Sequence, residues 1–513
     1  MTFSSQISHG SGRKRPDLAV EAVDGVLRPR RPDLAFSNLA FSGQISHGSG
    51  QKRLDRRVRT QIRRGLCLNA ISGQILALVA GIWHCRVTKS FISTPRNIKR
   101  LPKIPPNLSS LMNFVSFSLP HQDNLPKDAD ATNDLPLHKI QYLKIACDKL
   151  QDSLAEFLQK SNPDWIIHDY IASWLPPIAA KLGISSAFFS IVQAWTLCFC
   201  GSSSSALING EDPRTKPEDF TVPPKWVPFD TSVAYRLHEA KKFFDHYEMN
   251  DSGVKDMVRL GSVMAGCDVI AVKSCMEIES EWINLLGELH GKPVLPVGLL
   301  PPAAPDSRDG KEDKTWLTIS EWLAKQMSGA VIYAAFGSEL TLSRNELTEL
   351  ALGLEFSGLP FFWALRNRDD SIVLPDGFEE RVKGRGVVWT SWAPQLRILA
   401  HESVGAFLTH CGFSSITESL YYGHPLVLLP FSIDQGLIAR VFAEKKAGIE
   451  IARNEEDGEY TRKSVAEALR LVIVEEEGGI YREKAKELRV LFADEELHDE
   501  YVKKFVEFLQ NHK

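Results

Sequence analysis

The sequence predicts an α/β protein of two doubly wound domains facing a cleft, on three observations. From about residue 74 onward, short apolar runs of strand length alternate with longer helical stretches, the pattern of parallel sheets covered by helices on both faces. A Pro-rich, charged segment, Leu300 to Lys314 (LPPAAPDSRDGKEDK), interrupts this alternation and reads as a linker between two such regions. The run from Trp392 to Gln435 (WAPQLRILAHESVGAFLTHCGFSSITESLYYGHPLVLLPFSIDQ) carries strand, tight turn and helix in immediate succession. Backbone N–H groups at such a helix N-terminus are unpaired and partly positive, so the turn suits a diphosphate.

The strand-like runs are Trp165–Ile167, Ala187–Ile191, Val269–Val272, Val331–Phe336, Phe361–Leu365, Val387–Thr390, Val404–Leu408 and Leu426–Pro430. Sheets of this kind bind ligands beyond the carboxyl ends of their strands, and clefts between domains are preferred sites. The chain divides into a tail (residues 1–73), a first domain (74–299), the linker (300–315), a second domain (316–485) and a C-terminal helical segment (486–513).

With 43% hydrophobic and 24% charged residues, the composition is that of a water-soluble globular protein. The net charge of −4 conceals an asymmetry, since residues 1–70 carry +8 and the remainder −12. The tail is duplicated: FSSQISHGSGRKRPD from Phe3 returns as FSGQISHGSGQKRLD from Phe41, and RPDLA occurs at Arg15 and at Arg31. Two copies without apolar periodicity bury no shared face, so the tail is expected to be disordered. Its arginine cluster (Arg56, Arg57, Arg59, Arg63, Arg64) has no aromatic interleaving, and nucleic acid is not an expected partner. The longest apolar run near it, Ile75 to Trp83, is too short to span a membrane. Eight Cys without a CxxC pair argue against both a zinc site and a disulfide framework. A monomer in the reducing cytoplasm is the expectation.

The run Trp392–Gln435 resembles the signature box of the plant UDP-dependent glycosyltransferases. Trp392, Pro394, Gln395, His401, Gly405, Thr409-His410-Cys411-Gly412, Ser415, Glu418, Gly423, Pro425, Pro430, Asp434 and Gln435 stand at that family's spacing. The likeness extends from about Ser90 to the C-terminus through FISTPRNIKRLPKIPPNL, PDWIIHDYIASWLPPIAAKLGI, GCDVIAVKSCMEIESEW and VIYAAFGSE. It is most similar to the branch-forming subgroup, which extends an existing glycoside. The resemblance implies a GT-B fold whose second domain binds a UDP-sugar co-substrate and whose first binds the acceptor, with a final helix near Glu496–Gln510 crossing back to the first domain. It also implies roles: Trp392 stacked on uracil with Gln395 beside it, and Glu418 on the ribose hydroxyls. Gly337, Ser338, His410, Gly412, Ser414 and Ser415 would meet the diphosphate, and Asp434 and Gln435 the sugar. Transfer in this scheme inverts the anomeric centre and needs no metal or other cofactor. The acceptor it suggests is a flavonoid or triterpenoid glycoside; Gln435 favours glucose as the sugar, although branch-forming relatives also use rhamnose, galactose or xylose.

Two features depart from the pattern. Phe413-Ser414 stands where most members have Trp-Asn; serine still offers a hydroxyl, and a modest effect on donor affinity is expected. The second departure concerns the base. An inverting transfer needs the acceptor hydroxyl deprotonated as it attacks, and the family uses a His held by an Asp. Asp169, after the strand in PDWIIHDY, matches the Asp. The His should follow the first strand, but counting back from Pro95 reaches Ile71, within CLNAISG. The stretch Val58–Leu68 is Arg-rich where an apolar strand belongs, so strand and base are expected to be missing together. His84 aligns with later elements, His168 faces away from Asp169 by strand alternation, and His9 and His47 lie in the tail. The competing reading is a UDP-sugar-binding protein impaired in transfer, or a mis-assembled product whose first residues are foreign to the rest. His401 is expected to be structural.

Overall fold

The computed structural model of the chain describes residues 66–69, 89–101, 112–248, 252–300, 314–337, 340–365, 373–432 and 434–512. These fall within the compact unit Thr60–Lys513. The expectations for the tail, for His9, His47, Ile71 and His84, for the linker beyond Leu300 and for Ser338 fall on residues outside the described ones.

Two wholly parallel sheets organise the unit. The first joins β1 (Leu66–Asn69), β2 (Lys89–Ser93), β3 (Met112–Ser116), β4 (Trp165–His168), β5 (Ser185–Ser190), β6 (Val269–Val272) and β7 (Val294–Pro296) in the order β3-β2-β1-β4-β5-β6-β7. The second joins β8 (Val331–Ala335), β9 (Phe361–Ala364), β10 (Gly386–Trp389), β11 (Val404–Thr409), β12 (Leu426–Leu428) and β13 (Gly448–Glu450) in the order β10-β9-β8-β11-β12-β13. Both are doubly wound, with the strand order reversing beside the first strand of each sheet. Residues of β4, β6 and β8 are buried throughout, because helices cover both faces of a parallel sheet and its strands read as continuous apolar runs.

The expectation of a missing first strand is corrected. Residues Leu66–Asn69 (LCLN) form β1, which pairs in parallel with β2 (Leu66 opposite Lys89) and with β4 (Asn69 opposite His168) at the centre of the sheet. The arginine cluster ends at Arg64, and a strand of four residues directly beyond it leaves too short an apolar run to stand out. The expected domain boundary at 73/74 therefore falls behind a strand that belongs to the first sheet. Sequence pattern also passed over β2, β3, β7 and β13. The first of these opens on Lys89 and contains two serines, while the others are sheet edges, β7 and β13 of three residues each.

Several contacts tie the two halves together. The helix Glu495–Asn511 lies against the first sheet, where Val502, Phe505, Val506 and Leu509 share a core with Phe91, Trp165, Phe189 and Val269. Trp165 Nε1 donates to Leu509 O at 2.8 Å, and Tyr501 Oη donates to Glu277 Oε2 at 2.8 Å. On the other side, the buried Arg440 of the second domain is held by Glu239 of the first at 2.6 Å and by Glu450, and the His238 N–H donates to Glu455 O at 3.1 Å. Burial of such charges is sustained only when they are paired.

Candidate active site

In the second sheet, β8 and β11 adjoin where the strand order reverses. Gly337 follows β8 and His410 follows β11. Gly337 has φ 75°, and a Cβ there would stand 2.8 Å from His410 Nε2; a Cβ on Gly412 would stand 2.6 Å from the same atom. The imidazole thus lies between two backbones that only glycine keeps open. Burial lowers its pKa to about 4, so the ring is neutral, and Nδ1 has no hydrogen-bond partner among the described residues. Between them, Cys411 takes φ 70°, its N–H donating to Thr409 Oγ1 at 3.3 Å. A left-handed non-glycine residue costs about 1–2 kcal/mol, and such strain gathers at functional sites.

Gly412 caps the helix Phe413–Tyr422, whose first intrahelical bond runs from Ile416 N to Gly412 O. The N–H groups of its first turn, including those of Ser414 and Ser415, therefore point out of the helix end. Ser414, Ser415 and Glu418 are half-buried on one face of it. Gln395 Nε2 donates to Glu418 Oε2 at 2.6 Å, and Tyr333 Oη donates to Gln395 Oε1 at 3.2 Å, so a buried tyrosine orients the amide that orients the carboxylate. Burial raises the Glu418 pKa, while the Gln395 bond and the nearby Lys273 charge oppose that shift. Trp392 is 63% exposed, its carbonyl accepting from Trp389 Nε1 at 3.2 Å. A large, open ring held at its backbone is a platform for stacking.

Asp434 and Gln435 begin the helix Gln435–Glu444. Desolvation raises Asp434 to a pKa of about 6. Its charge is felt by Cys200 and Tyr235 of the first domain, which places it at the cleft. Gln435 Oε1 accepts from Phe431 N at 3.0 Å and from Ser432 N at 3.1 Å, so the group it offers a ligand is the Nε2 amide. His401 caps its own loop, Nδ1 contacting Ser403 Oγ at 2.9 Å, which is a structural role. Phe413 is buried in edge contact with Trp195 of the first domain, ring centroids 6.0 Å apart.

In the first sheet the order reverses between β1 and β4. Asp169 follows β4, is half-buried and accepts from Ile171 N at 3.1 Å. That bond closes a local turn; the helix Leu175–Lys181 has Trp174 at its N-cap. His168 is fully buried, stacks on Phe188 at 6.2 Å and gives its Nδ1 contact to Asp169 O. Burial lowers its pKa to about 4, and it is a core residue. Three residues at the cleft escaped sequence reading. Tyr333 is one, and Lys273, directly after β6, is another, signalled by a charged residue ending an all-apolar strand. The third, Glu279, accepts from Trp195 N at 3.1 Å and is pushed up to about 7 by burial. Among the described residues no three His, Cys, Asp or Glu side chains gather as a metal ion requires, and no helix is long and apolar enough to cross a membrane.

Fold and site together define a nucleotide-sugar-dependent transferase of the GT-B class. Residues 311–513 match the family model described as UDP-glucoronosyl and UDP-glucosyl transferase. The chain is 50% identical over 426 residues to UDP-glycosyltransferase 91D2 of Stevia rebaudiana, covering 82% of this chain and 88% of that one. It is 40% identical over 433 residues to the soyasaponin III rhamnosyltransferase of Glycine max, covering 83% and 89%. Among solved structures, Os79 from O. sativa in complex with U2F and trichothecene superposes with a TM-score of 0.69 at 19% identity, covering 86% of this chain and 100% of that one; at that identity the likeness speaks for the fold. The chain belongs to the plant UDP-glycosyltransferases, enzymes that transfer sugar from a UDP-sugar.

Proposed function

We propose that this protein transfers a sugar from UDP-sugar to a hydroxyl of a small plant glycoside, of flavonoid or triterpenoid type, with inversion and without a metal. One observation carries the donor half: the His410 ring lies between Gly337 and Gly412 at the N-terminus of the Phe413–Tyr422 helix, with Glu418 oriented beside it. On this reading Trp392 stacks on uracil and Glu418 binds the ribose diol. Backbone N–H groups, Ser414, Ser415 and neutral His410 meet the diphosphate, and Asp434 with the Gln435 amide holds the sugar. Donors already in place where UDP gains charge favour its departure.

For the acceptor, a pocket of about 580 Å³ lies beyond β2 and β3 and is lined by Arg96, Ser118, His121, Gln122 and Asp128. Its walls mix these polar groups with Leu119, Pro120, Leu125 and Pro126, which suits a substrate with both sugar and apolar parts; a soyasaponin and an anthocyanidin glucoside are the substrates named for the Glycine max relative and for an anthocyanidin-3-O-glucoside rhamnosyltransferase from Petunia hybrida, 34% identical over 429 residues. Free, buried cysteines at Cys147, Cys198, Cys200, Cys267, Cys275 and Cys411 fit a reducing cytoplasm.

Asp169 is the orienting carboxylate of this scheme. Ile71 occupies the base's place in the sequence, two residues past β1. Loss of a general base costs about 10²–10⁴-fold in rate, so slow transfer is the expectation. The same observation favours a second reading, a protein that holds UDP-sugar without transferring it. Calorimetry with UDP, run beside acceptor-dependent release of UDP from UDP-glucose and UDP-rhamnose, separates them. Binding with release supports transfer, binding alone supports the second reading, and a protein that binds no UDP contradicts both.

A further inference from the structure

Lys273 sits where the two domains meet, and nothing in the scheme above uses it. It follows β6 directly, is 5% exposed, and carries an ammonium group that is costly to bury. Its Nζ reaches out of the first domain to within 3.4 Å of Ser414 Oγ in the second, and stands 6.0 Å from the centre of the Phe413 ring. Both contacts are in the first turn of the Phe413–Tyr422 helix. Burial lowers the lysine pKa to about 8 while Glu418, on the same helix, holds it up, so the group is mostly protonated at neutral pH.

This ammonium therefore arrives where the glycine turn, the helix N-terminus and His410 converge. The helix end offers partial charges, and His410 is neutral. Lys273 adds a full positive charge, and it comes from the domain that binds the acceptor.

We propose that Lys273 binds the β-phosphate of the UDP-sugar across the cleft and stabilises UDP as it leaves. The proposal rests on the reading of this helix end as the diphosphate site. In the transfer, the acceptor oxygen bonds to the anomeric carbon and gives its proton to a base or to water. The bond from that carbon to the β-phosphate oxygen breaks, its electron pair leaving with UDP. Negative charge grows on the oxygen that Lys273 faces, in a setting where a fixed cation acts strongly. Because lysine and serine belong to different domains, the phosphate also joins them, so donor binding and apposition of the two halves support each other.

The test is calorimetry of the full chain with UDP, UMP and uridine as probes, on the wild type, Lys273→Met and Lys273→Arg, with thermal melts to check folding. Lys273→Met is expected to weaken UDP binding at least tenfold, to weaken UMP less, and to leave uridine unchanged; Lys273→Arg is expected to recover most of the loss. Lys273→Gln carries the same comparison if the Met variant does not fold. Equal UDP affinity in the wild type and the neutral variants overturns the proposal, as does an equal loss for UDP and uridine, which marks a purely structural lysine. A wild type that binds no UDP is a different result, and it removes the diphosphate site itself.

Discussion

The two halves of this molecule are built on one plan and equipped differently at the same place. Each sheet reverses its strand order beside its first strand, β1 and β4 in one, β8 and β11 in the other. In the second half that crevice is filled from both sides: Gly337 after β8 and Gly412 beyond β11 enclose His410, and a helix begins at once. In the first half, Asp169 follows β4, its Oδ1 occupied by the Ile171 N–H, and the sequence after β1 brings Ile71 where the family places its base. Doubly wound sheets thus supply a crevice for geometric reasons, while the chemistry in it depends on which side chains the two adjoining loops bring.

Ile71→His is the strongest way to break this contrast. On the proposed role of Asp169 as the orienting carboxylate, it is expected to raise kcat by about 10²–10⁴-fold; an unchanged rate with UDP affinity intact would refute that role. Removing the carboxylate on the donor side comes next. Glu418→Ala deletes a charged hydrogen-bonding group and leaves Gln395 Nε2 without its partner, so UDP affinity should fall about 10–100-fold while thermal melts change little.

Gly412→Ala sharpens the comparison from the backbone side. The added Cβ would meet His410 Nε2 at 2.6 Å, forcing the ring or the turn to move. A loss of about tenfold in UDP affinity is expected, with about 1–3 kcal/mol of stability; a variant that binds like the wild type would show that the ring's position is immaterial.

The smallest effect is on stability and pH. Asp434, raised to about 6 by burial, holds its proton more tightly folded than unfolded. It therefore lends stability below its unfolded pKa, about 3.9, and that contribution is lost as pH rises through 6. Asp434→Asn should flatten this part of the stability–pH curve and raise stability at pH 7 by at most about 3 kcal/mol, while slowing transfer. Denaturation at pH 5 and pH 8 measures it, and an identical pH dependence in the two proteins would refute the assignment.

What could be read along the chain was whatever is continuous along it. Trp392 to Gln435 is a single stretch in which strand, turn and helix follow one another, so spacing alone marks Gly412, Ser415 and Glu418 as neighbours of one turn. Long buried strands such as β8 declared themselves by five apolar residues in a row. The short β1 did not, because Arg63 and Arg64 stand just before it and its pairing partners, β2 and β4, are distant in the chain. Gln435 opens the helix Gln435–Glu444, but the turn of its carbonyl toward Phe431 and Ser432 depends on a loop conformation that side-chain type does not specify.

By itself, the sequence determined the class of fold and the family, and it marked Trp392–Gln435, with its glycines and carboxylates, as one strand–turn–helix run. These are properties of local order, where apolar periodicity selects strands and helices and the spacing of a turn sets which residues share it. Tertiary structure alone decided that LCLN enters the centre of the first sheet, that Tyr333 steers Glu418 through Gln395, and that Lys273 meets Ser414 across the cleft. Each joins residues far apart in the chain. Such pairings are settled only when whole sheets and helices pack, because buried polar groups must then find partners wherever the fold happens to bring them.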